Sequence, residues 1–357
     1  KGLGFGPKVR VIVGGLYPRG HGAEGGGYGY IRVLEKFIKA YPDKVKVFTD
    51  TQAVKLIKDE AGKVIGVVGK HDGKDVNFMA SKGVIIATGG FGSNVEMRQA
   101  KNTGVWKEVT LDKNIPCTNN FKASQGDGLK LAEQVGANVI NLDDIQLHPG
   151  GTPKTGIMSS WPSGRNRIFL TPQGDRFVNE DAARDTLCKA IFKEGGNYWI
   201  VSNHVKYPTL DYLSKNLTIG EMIKLGQAFS GNTIEELAQK TGMDPKKLRA
   251  SIDTYNNVVT GKIKEDNLGF KKFTQDDKPM TEGPFYATPM VPAVHHTMGG
   301  IQINSAAQVL DKSGQVIPGL FAAGEVTGGV HGSNRVGGNG IADAMVFGRV
   351  SGQTALK

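Results

Sequence analysis

Arg335 sits in HGSNRVGGNG, residues 331–340, with His331, Asn334 and Asn339 among four glycines. A guanidinium forks onto both oxygens of a carboxylate, and glycines at this density let a main chain approach a ligand closely. The stretch follows the apolar run PGLFAAGEVTGG, which reads as a buried strand ending in a turn. The chemistry expected is a ligand pressed against backbone, with a carboxylate gripped by Arg335. Further side chains suited to holding an anion or moving a proton are His148 in IQLHPGG, Arg184 in NEDAARD, and the adjacent His295 and His296 in VHHTMGG. Each has an ordinary alternative. Arg335 could serve a surface or interdomain salt bridge, Arg184 an ion pair with Glu180 or Asp185, and one of the two adjacent histidines a structural role.

Elements must bring these residues together. KVRVIVGG (8–15) alternates like a strand, and GGGYGYIRVLEKFIKAY (25–41) turns into a helix with Ile31, Leu34, Phe37 and Ile38 on one face. Several short strands follow, with turns at Glu60–Gly62 and Asp72–Gly73. The last of them, Gly83–Ala87, is continuously apolar, as expected of a strand covered on both faces. SQGDGLKLAEQVGA (124–137) reads as a glycine turn feeding a short helix, with Leu129, Ala132 and Val135 inward and Asp127 as its cap. From about Asn141 the texture changes to longer polar loops and two helical patterns, TIEELAQKTG and DPKKLRASIDTYNNVV. After TPMVPAVHHTMGG the glycine-rich short-strand style returns. The simplest organisation is one α/β domain, residues 1–140 and 291–357, interrupted by an inserted domain at 141–290.

Composition narrows the function classes. Fifty glycines among 357 residues is about twice ordinary usage and suits ligand-hugging loops. The formal charge of +10 carries no basic block interleaved with aromatics, so it reads as solubility and attraction of small anions rather than nucleic-acid binding. Cys117 and Cys188 are the only cysteines and form no CxxC or zinc spacing. No apolar run approaches the roughly 20 residues of a membrane span, and the compartment is left open between periplasm and cytoplasm.

Three motifs combine: GVIIATGGFG (83–92), VHHTMGG (294–300) and IPGLFAAGEVTGGVHGSNRVGGNGIADAMVFGRVSG (317–352). Together they resemble the flavoprotein subunits of fumarate reductases and succinate dehydrogenases, in the branch of soluble fumarate reductases, urocanate reductases and other 2-enoate reductases. The resemblance covers essentially the whole chain. It implies an α/β fold, a Rossmann-like FAD-binding domain with an inserted α+β capping domain, and FAD as cofactor. It also implies an α,β-unsaturated carboxylate as substrate, and a haem or flavin domain or protein as electron donor. One departure is large. The GxGxxG turn of that family is not found, since GLGFG at residues 2–6 neither follows a strand nor precedes a helix. The chain is therefore expected to correspond to the family without its N-terminal dinucleotide-binding segment. A cofactor-free scaffold fragment is the alternative outside enzymology, and a ketosteroid dehydrogenase is disfavoured by the His/Arg set.

Reduction of such a C=C bond needs a hydride at the β carbon, cations on the carboxylate where charge develops, and a proton at the α carbon. The resemblance assigns Arg335 and His295 to the carboxylate, Arg184 to proton donation and His148 to the far end of the substrate. Of the adjacent histidines, His295 is taken as the ligand and His296 as a residue on the substrate side, one of the pair being structural or flavin-facing. Where the family carries a Thr-Glu pair, IMSSWPSGRNRIFL (157–170) has Ser160 and Trp161. Losing the glutamate interrupts the usual proton relay; Arg165 and Arg167 either replace it or are solvated loop charges. An aromatic at Trp161 suggests an apolar or aromatic tail in place of a second carboxylate, and argues against both fumarate and urocanate as the preferred substrate. Toward FAD, the resemblance implies Glu325 on ribityl or ribose hydroxyls. Gly89, Gly90, Gly324, Gly337, Gly338, Asn339, Gly340 and Ile341 would give close backbone approach, with a helix beginning near Gly340 aimed at the flavin.

Overall fold

A computed structural model describes residues 20–24, 26–118, 123–158, 166–214, 217–271 and 277–357. Ser160, Trp161, Arg165, the 8–15 stretch and GLGFG lie outside the described residues. The chain divides into two compact units, each taken by itself. Unit 1 is Lys1–Gly89, Gly126–Asn141 and Met298–Lys357; unit 2 is Gly90–Gln125 and Leu142–Thr297.

Unit 1 opens with helix α1 (Gly26–Ala40) and an antiparallel meander of β1 (Thr51–Lys58), β2 (Val64–His71) and β3 (Lys74–Met79). Asp72 and Gly73, both at positive φ, make the two-residue β2–β3 turn, the geometry that suits the twist of a hairpin. Strand β4 (Val84–Ile86) runs parallel to β13 (Val316–Ala322), which pairs antiparallel with β12 (Gln308–Leu310). A third small sheet joins β5 (Val139–Ile140), β11 (Gly300–Gln302) and β14 (Thr327–Gly328). Helix α3 (Asp127–Glu133) buries Leu129, Leu131 and Ala132, and the long α8 (Asn339–Ala355) closes the chain.

Two expectations change here. Asp127 is not the cap of α3: Gly126, at φ 77°, takes that place with no side-chain bond, and Asp127 becomes the first helical residue. Its charge still favours the helix N-terminus. Strand β4 is shorter than 83–87, and its Ile85 is 41% exposed among the described residues, so it is not covered on both faces. The stripe of Ile31, Leu34 and Phe37 on α1 is likewise exposed among the described residues.

Unit 2 is built on a five-stranded antiparallel sheet in the order β6 (Ile145–Gly151), β10 (Phe285–Thr297), β8 (Tyr198–Asn203), β7 (Arg167–Leu170), with β9 (Phe229–Gly231) also pairing β10. Helices α2 (Val95–Ala100), α4 (Arg184–Lys193), α5 (Ile219–Lys224), α6 (Ile234–Thr241) and α7 (Pro245–Val259) complete it. The two helical patterns of the sequence are α6 and α7. Thr233 caps α6 by accepting from Glu236 N, and Gly242 ends it at φ 77°. Asp244 accepts from Lys246 N and Lys247 N, with Pro245 in the first turn of α7. Leu248, Ile252, Tyr255 and Val259 of α7 recur at helical spacing and pack on Ile168, Leu170 and Val201 of the sheet.

Candidate active site

In unit 2 the site is assembled on β6 and β10. Every residue of β6 is buried. Gln146 and His148 are two apart and so project to the same side of the strand. The β6–β10 register runs Ala293 to His148, Val294 to Leu147 and His296 to Gln146, leaving His295 as the extra residue of an irregularity. A bulge of this kind re-aims a side chain. The His295 ring lies beside that of His148, centroids 4.8 Å apart and tilted by 52°. Gly150 N donates to His148 Nδ1 at 3.0 Å. A backbone N–H can only donate, so Nδ1 is the bare nitrogen and Nε2 carries the His148 proton. His295 Nδ1 meets Thr118 Oγ1 at 2.6 Å. His296 is buried at 6% exposure.

Arg184 is the first residue of α4. Its Nη1 donates to Gln146 Oε1 at 3.1 Å, which ties the helix start to the strand that carries His148. Of the two carboxylates offered as ion-pair partners for Arg184, Glu180 is held by another arginine. Arg176 donates Nε to Glu180 Oε1 at 3.0 Å and Nη2 to Oε2 at 2.7 Å, and its Nη1 reaches Asp266 at 2.5 Å. Glu180 also accepts from Phe169 N at 3.0 Å. Arg167 is 2% exposed, donates to the Glu180 carbonyl at 2.9 Å and lies 3.8 Å from Asp181. It is therefore a buried anchor of the 180–181 turn, not a solvated loop charge. Gly90, the first residue of unit 2, is buried.

The loop bearing Thr118 is fixed from both sides. Thr118 N donates to Val294 O and Val294 N to Pro116 O, each at 2.8 Å. Arg98 donates Nε to Leu111 O at 2.8 Å and Nη2 to Ile115 O at 2.6 Å. Burial lowers the Arg98 pKa from its usual value, with Cys117 and Asp112 opposing.

Unit 1 carries the second group. β13 ends at Ala322, and two residues on the buried Gly324, at φ 76°, opens a single helical turn, Gly324–Val326, which carries Glu325 and against which α8 packs. Gly338, at φ 87°, enters α8 with no side-chain cap. Asn339, Gly340 and Ile341 thus form a first turn whose amide donors no capping side chain of Gly338 meets. Gly337 is half-buried beside them, and Gly89 lies at φ 75° beyond β4. Arg335 is 7% exposed, and burial lowers its pKa while Glu325 and Asp343 oppose that shift. His331 Nε2 lies 3.2 Å from Asp343 Oδ2.

These unit 1 residues fit an FAD. The opening of a 17-residue helix lacks a capping side chain, a half-buried carboxylate at Glu325 can accept from hydroxyls, and Gly324 keeps a position where L side chains are strained. The FAD binding domain family profile matches residues 13–341. The chain belongs to this family. FAD is its cofactor. Among relatives of this FAD-binding domain, the NADH:acrylate oxidoreductase of Vibrio harveyi is 37% identical over 99% of the chain and 35% of its own length. The urocanate reductase of Eggerthella lenta is 35% identical over 96% of the chain and 55% of its own length. A solved flavocytochrome c3 fumarate reductase in its open conformation superposes with a TM-score of 0.74 at 32% identity, covering 99% of this chain and 60% of that one. The fold is accordingly the α/β fold of that FAD-binding domain. The chain spans about a third to a half of the length of the curated relatives. No helix among the described residues is long and apolar enough to cross a membrane.

Thr118 and Gln146 are the two site residues that sequence reasoning missed. Gln146 was within reach, since alternation along IQLHPGG puts it on the His148 side. Thr118 carries no comparable signal, because its partner stands 177 residues away.

Proposed function

We propose that this chain forms the flavin- and substrate-holding part of an FAD-dependent reductase acting on the C=C bond of an α,β-unsaturated carboxylate. The observation that carries the reading is the grouping in unit 2 of two histidine rings and an arginine held by a neutral amide, His148, His295 and Arg184 on Gln146. FAD, when bound, supplies the hydride. His295 and Arg335 hold the carboxylate and stabilise the negative charge that develops on it. His148, which carries its proton on Nε2, holds the other end of the substrate. Arg184 delivers the proton to the α carbon. An arginine is a weak acid, so it needs a fixed direction toward the carbon it protonates, and the Gln146 bond gives it one. His296, Ser160 and Trp161 line the substrate side. Gly89, Gly90, Gly324, Glu325, Arg335, Gly338, Asn339, Gly340 and Ile341 hold FAD. The FAD-holding part is residues 1–140 and 291–357, and 141–290 forms the cap that excludes water. The electron donor is a haem or flavin domain or protein.

The substrate proposed is a monocarboxylate with an apolar or aromatic tail, because Trp161 stands where the resembled family has its Thr-Glu pair. Fumarate is the second reading, favoured by the presence of His148, Arg184, His295 and Arg335 together. A panel of fumarate, urocanate, acrylate, methacrylate and cinnamate, followed by oxidation of reduced viologen with the FAD-loaded protein, tests both. Turnover of methacrylate or cinnamate without fumarate supports the first. Preferential fumarate turnover replaces it with the second, and absence of turnover by a fully FAD-loaded protein overturns both.

A further inference from the structure

We propose that Thr118 is a positioning residue that sets the tautomer of His295, so that the neutral imidazole presents Nε2–H to the substrate carboxylate. The inference rests on the reading of His295 as a carboxylate ligand.

Thr118 Oγ1 lies 2.6 Å from His295 Nδ1. A neutral imidazole has one N–H, and whichever nitrogen a neighbour donates to is the bare one. Two arrangements satisfy the distance. If the hydroxyl donates, Nδ1 is the acceptor and the proton sits on Nε2, where it can bond a carboxylate oxygen. If Nδ1 donates to the hydroxyl instead, Nε2 turns a lone pair toward that oxygen, and the contact becomes repulsive. Only the first arrangement lets a neutral histidine bind an anion.

The surroundings are built to keep Thr118 in place. Its backbone N–H donates to Val294 O at 2.8 Å, one residue before His295, so hydroxyl and ring are registered by neighbouring main chain. Pro116 accepts from Val294 N, and Cys117 pairs with Val294 in a parallel bridge. The loop behind is held through the buried Arg98, which donates to the carbonyls of Gly92, Leu111, Asp112 and Ile115. On the other side, His295 stands at an irregularity of β10, where the strand frees it from ladder pairing. His148 across the ring contact has its proton on Nε2 by the Gly150 bond. The same tautomer at His295 gives the two neighbouring rings the same donor nitrogen, so together they can grip an anionic substrate without either being charged.

The test combines a tautomer measurement with kinetics. Long-range 1H–15N correlation spectra of the histidine-labelled, FAD-loaded protein at mildly alkaline pH report which nitrogen is protonated, with the His295 signals assigned by their loss in His295→Gln. The expected wild-type result is bare Nδ1 and protonated Nε2, kept in Thr118→Ser and lost or mixed in Thr118→Val. A wild-type Nδ1–H overturns the inference, and that measurement needs no variant of Thr118 to fold. In turnover, Thr118→Val is expected to raise KM about tenfold, the size of a lost hydrogen bond to a charged group. Its kcat should fall as well, because the same contact stabilises charge that develops on the carboxylate in the transition state. Thr118→Ser should restore KM. Unchanged KM in Thr118→Val, where His295→Ala raises it, overturns the positioning role. Unchanged KM in His295→Ala overturns the reading of His295 itself, and the role of Thr118 falls with it; the spectra distinguish the two failures.

Discussion

Arg184 Nη1 donates to Gln146 Oε1 at 3.1 Å, and Gln146 stands two residues before His148 on the same buried strand. One short segment of β6 therefore sets the direction of the proposed proton donor and presents the histidine proposed for the far end of the substrate. A carboxylate in place of Gln146 would hold the guanidinium proton more firmly; an amide oxygen orients it without adding a counter-charge.

Replacing Gln146 by Leu removes that orientation while keeping the strand buried. Because a misplaced catalytic group costs on the order of a hundredfold, kcat is expected to fall by about 10- to 100-fold with a smaller change in KM. Gln146→Glu is expected to lower kcat as well, through a tighter hold on the proton. Steady-state kinetics on the two variants check this, and an unchanged kcat in Gln146→Leu would remove Gln146 from the site.

The approach to Arg184 is kept rigid by the buried Arg176, its side chain only 4% exposed between the fully enclosed carboxylates of Glu180 and Asp266. Cutting one partner from a buried ion network strands a charge, which costs about 3–5 kcal/mol. Asp266→Ala is expected to lose stability on that scale in urea unfolding. Asp266→Asn keeps the shape and part of the hydrogen bonding, and is expected to lose less. Equal losses would mean that packing at this position, and not charge, sets the cost.

Much of this was legible in the chain. Asp244 before Pro245 and Thr233 three residues before Glu236 announce α7 and α6 by the chemistry of helix starts, and both structures follow. The motifs bearing His148, Arg184, His295 and Arg335 stand out by residue type. Other features depend on relations that a linear reading does not carry. Two adjacent histidines give no hint that one of them falls at an irregularity of the strand; the β6 register decides that. Thr118 sits in a stretch without periodicity, and its meaning comes from main-chain pairing with Val294. Asp127 looked like a cap because its side chain suits one, but Gly126 can adopt φ 77° and takes the position one residue earlier.

Lys206 gives a pH dependence unrelated to the reaction. Burial, and then the charge of Arg167, push its pKa down to about 7 from 10.5. Between those two values the unfolded chain binds a proton that the folded chain lacks, so stability rises with pH. Below the folded value both states are charged and the penalty is constant at its largest; above the unfolded value it vanishes. Thermal melts of wild type and Lys206→Met should therefore differ most at neutral pH and below, with the variant more stable, and converge toward pH 10. A difference that stays flat across this range would show that Lys206 keeps an ordinary pKa.

Gly338 at φ 87°, where α8 begins, and Gly332 at φ 61°, six residues before it, both hold backbone conformations that disfavour a β-branched residue. Neither would be neutral as Val, and strain of about 1–3 kcal/mol is expected at each. Their places differ. Gly338 opens the helix whose first turn would meet FAD, while Gly332 is exposed with nothing within 4 Å of a Cβ. Gly338→Val and Gly332→Val are thus expected to lower thermal stability to a similar extent. Only Gly338→Val should weaken FAD binding, by about tenfold for loss of close approach to the helix dipole and its amides. Fluorescence titration of FAD into the apoproteins separates the two effects. Equal weakening in both variants would mean that general strain in the 331–340 stretch, and not contact at the helix start, governs cofactor affinity.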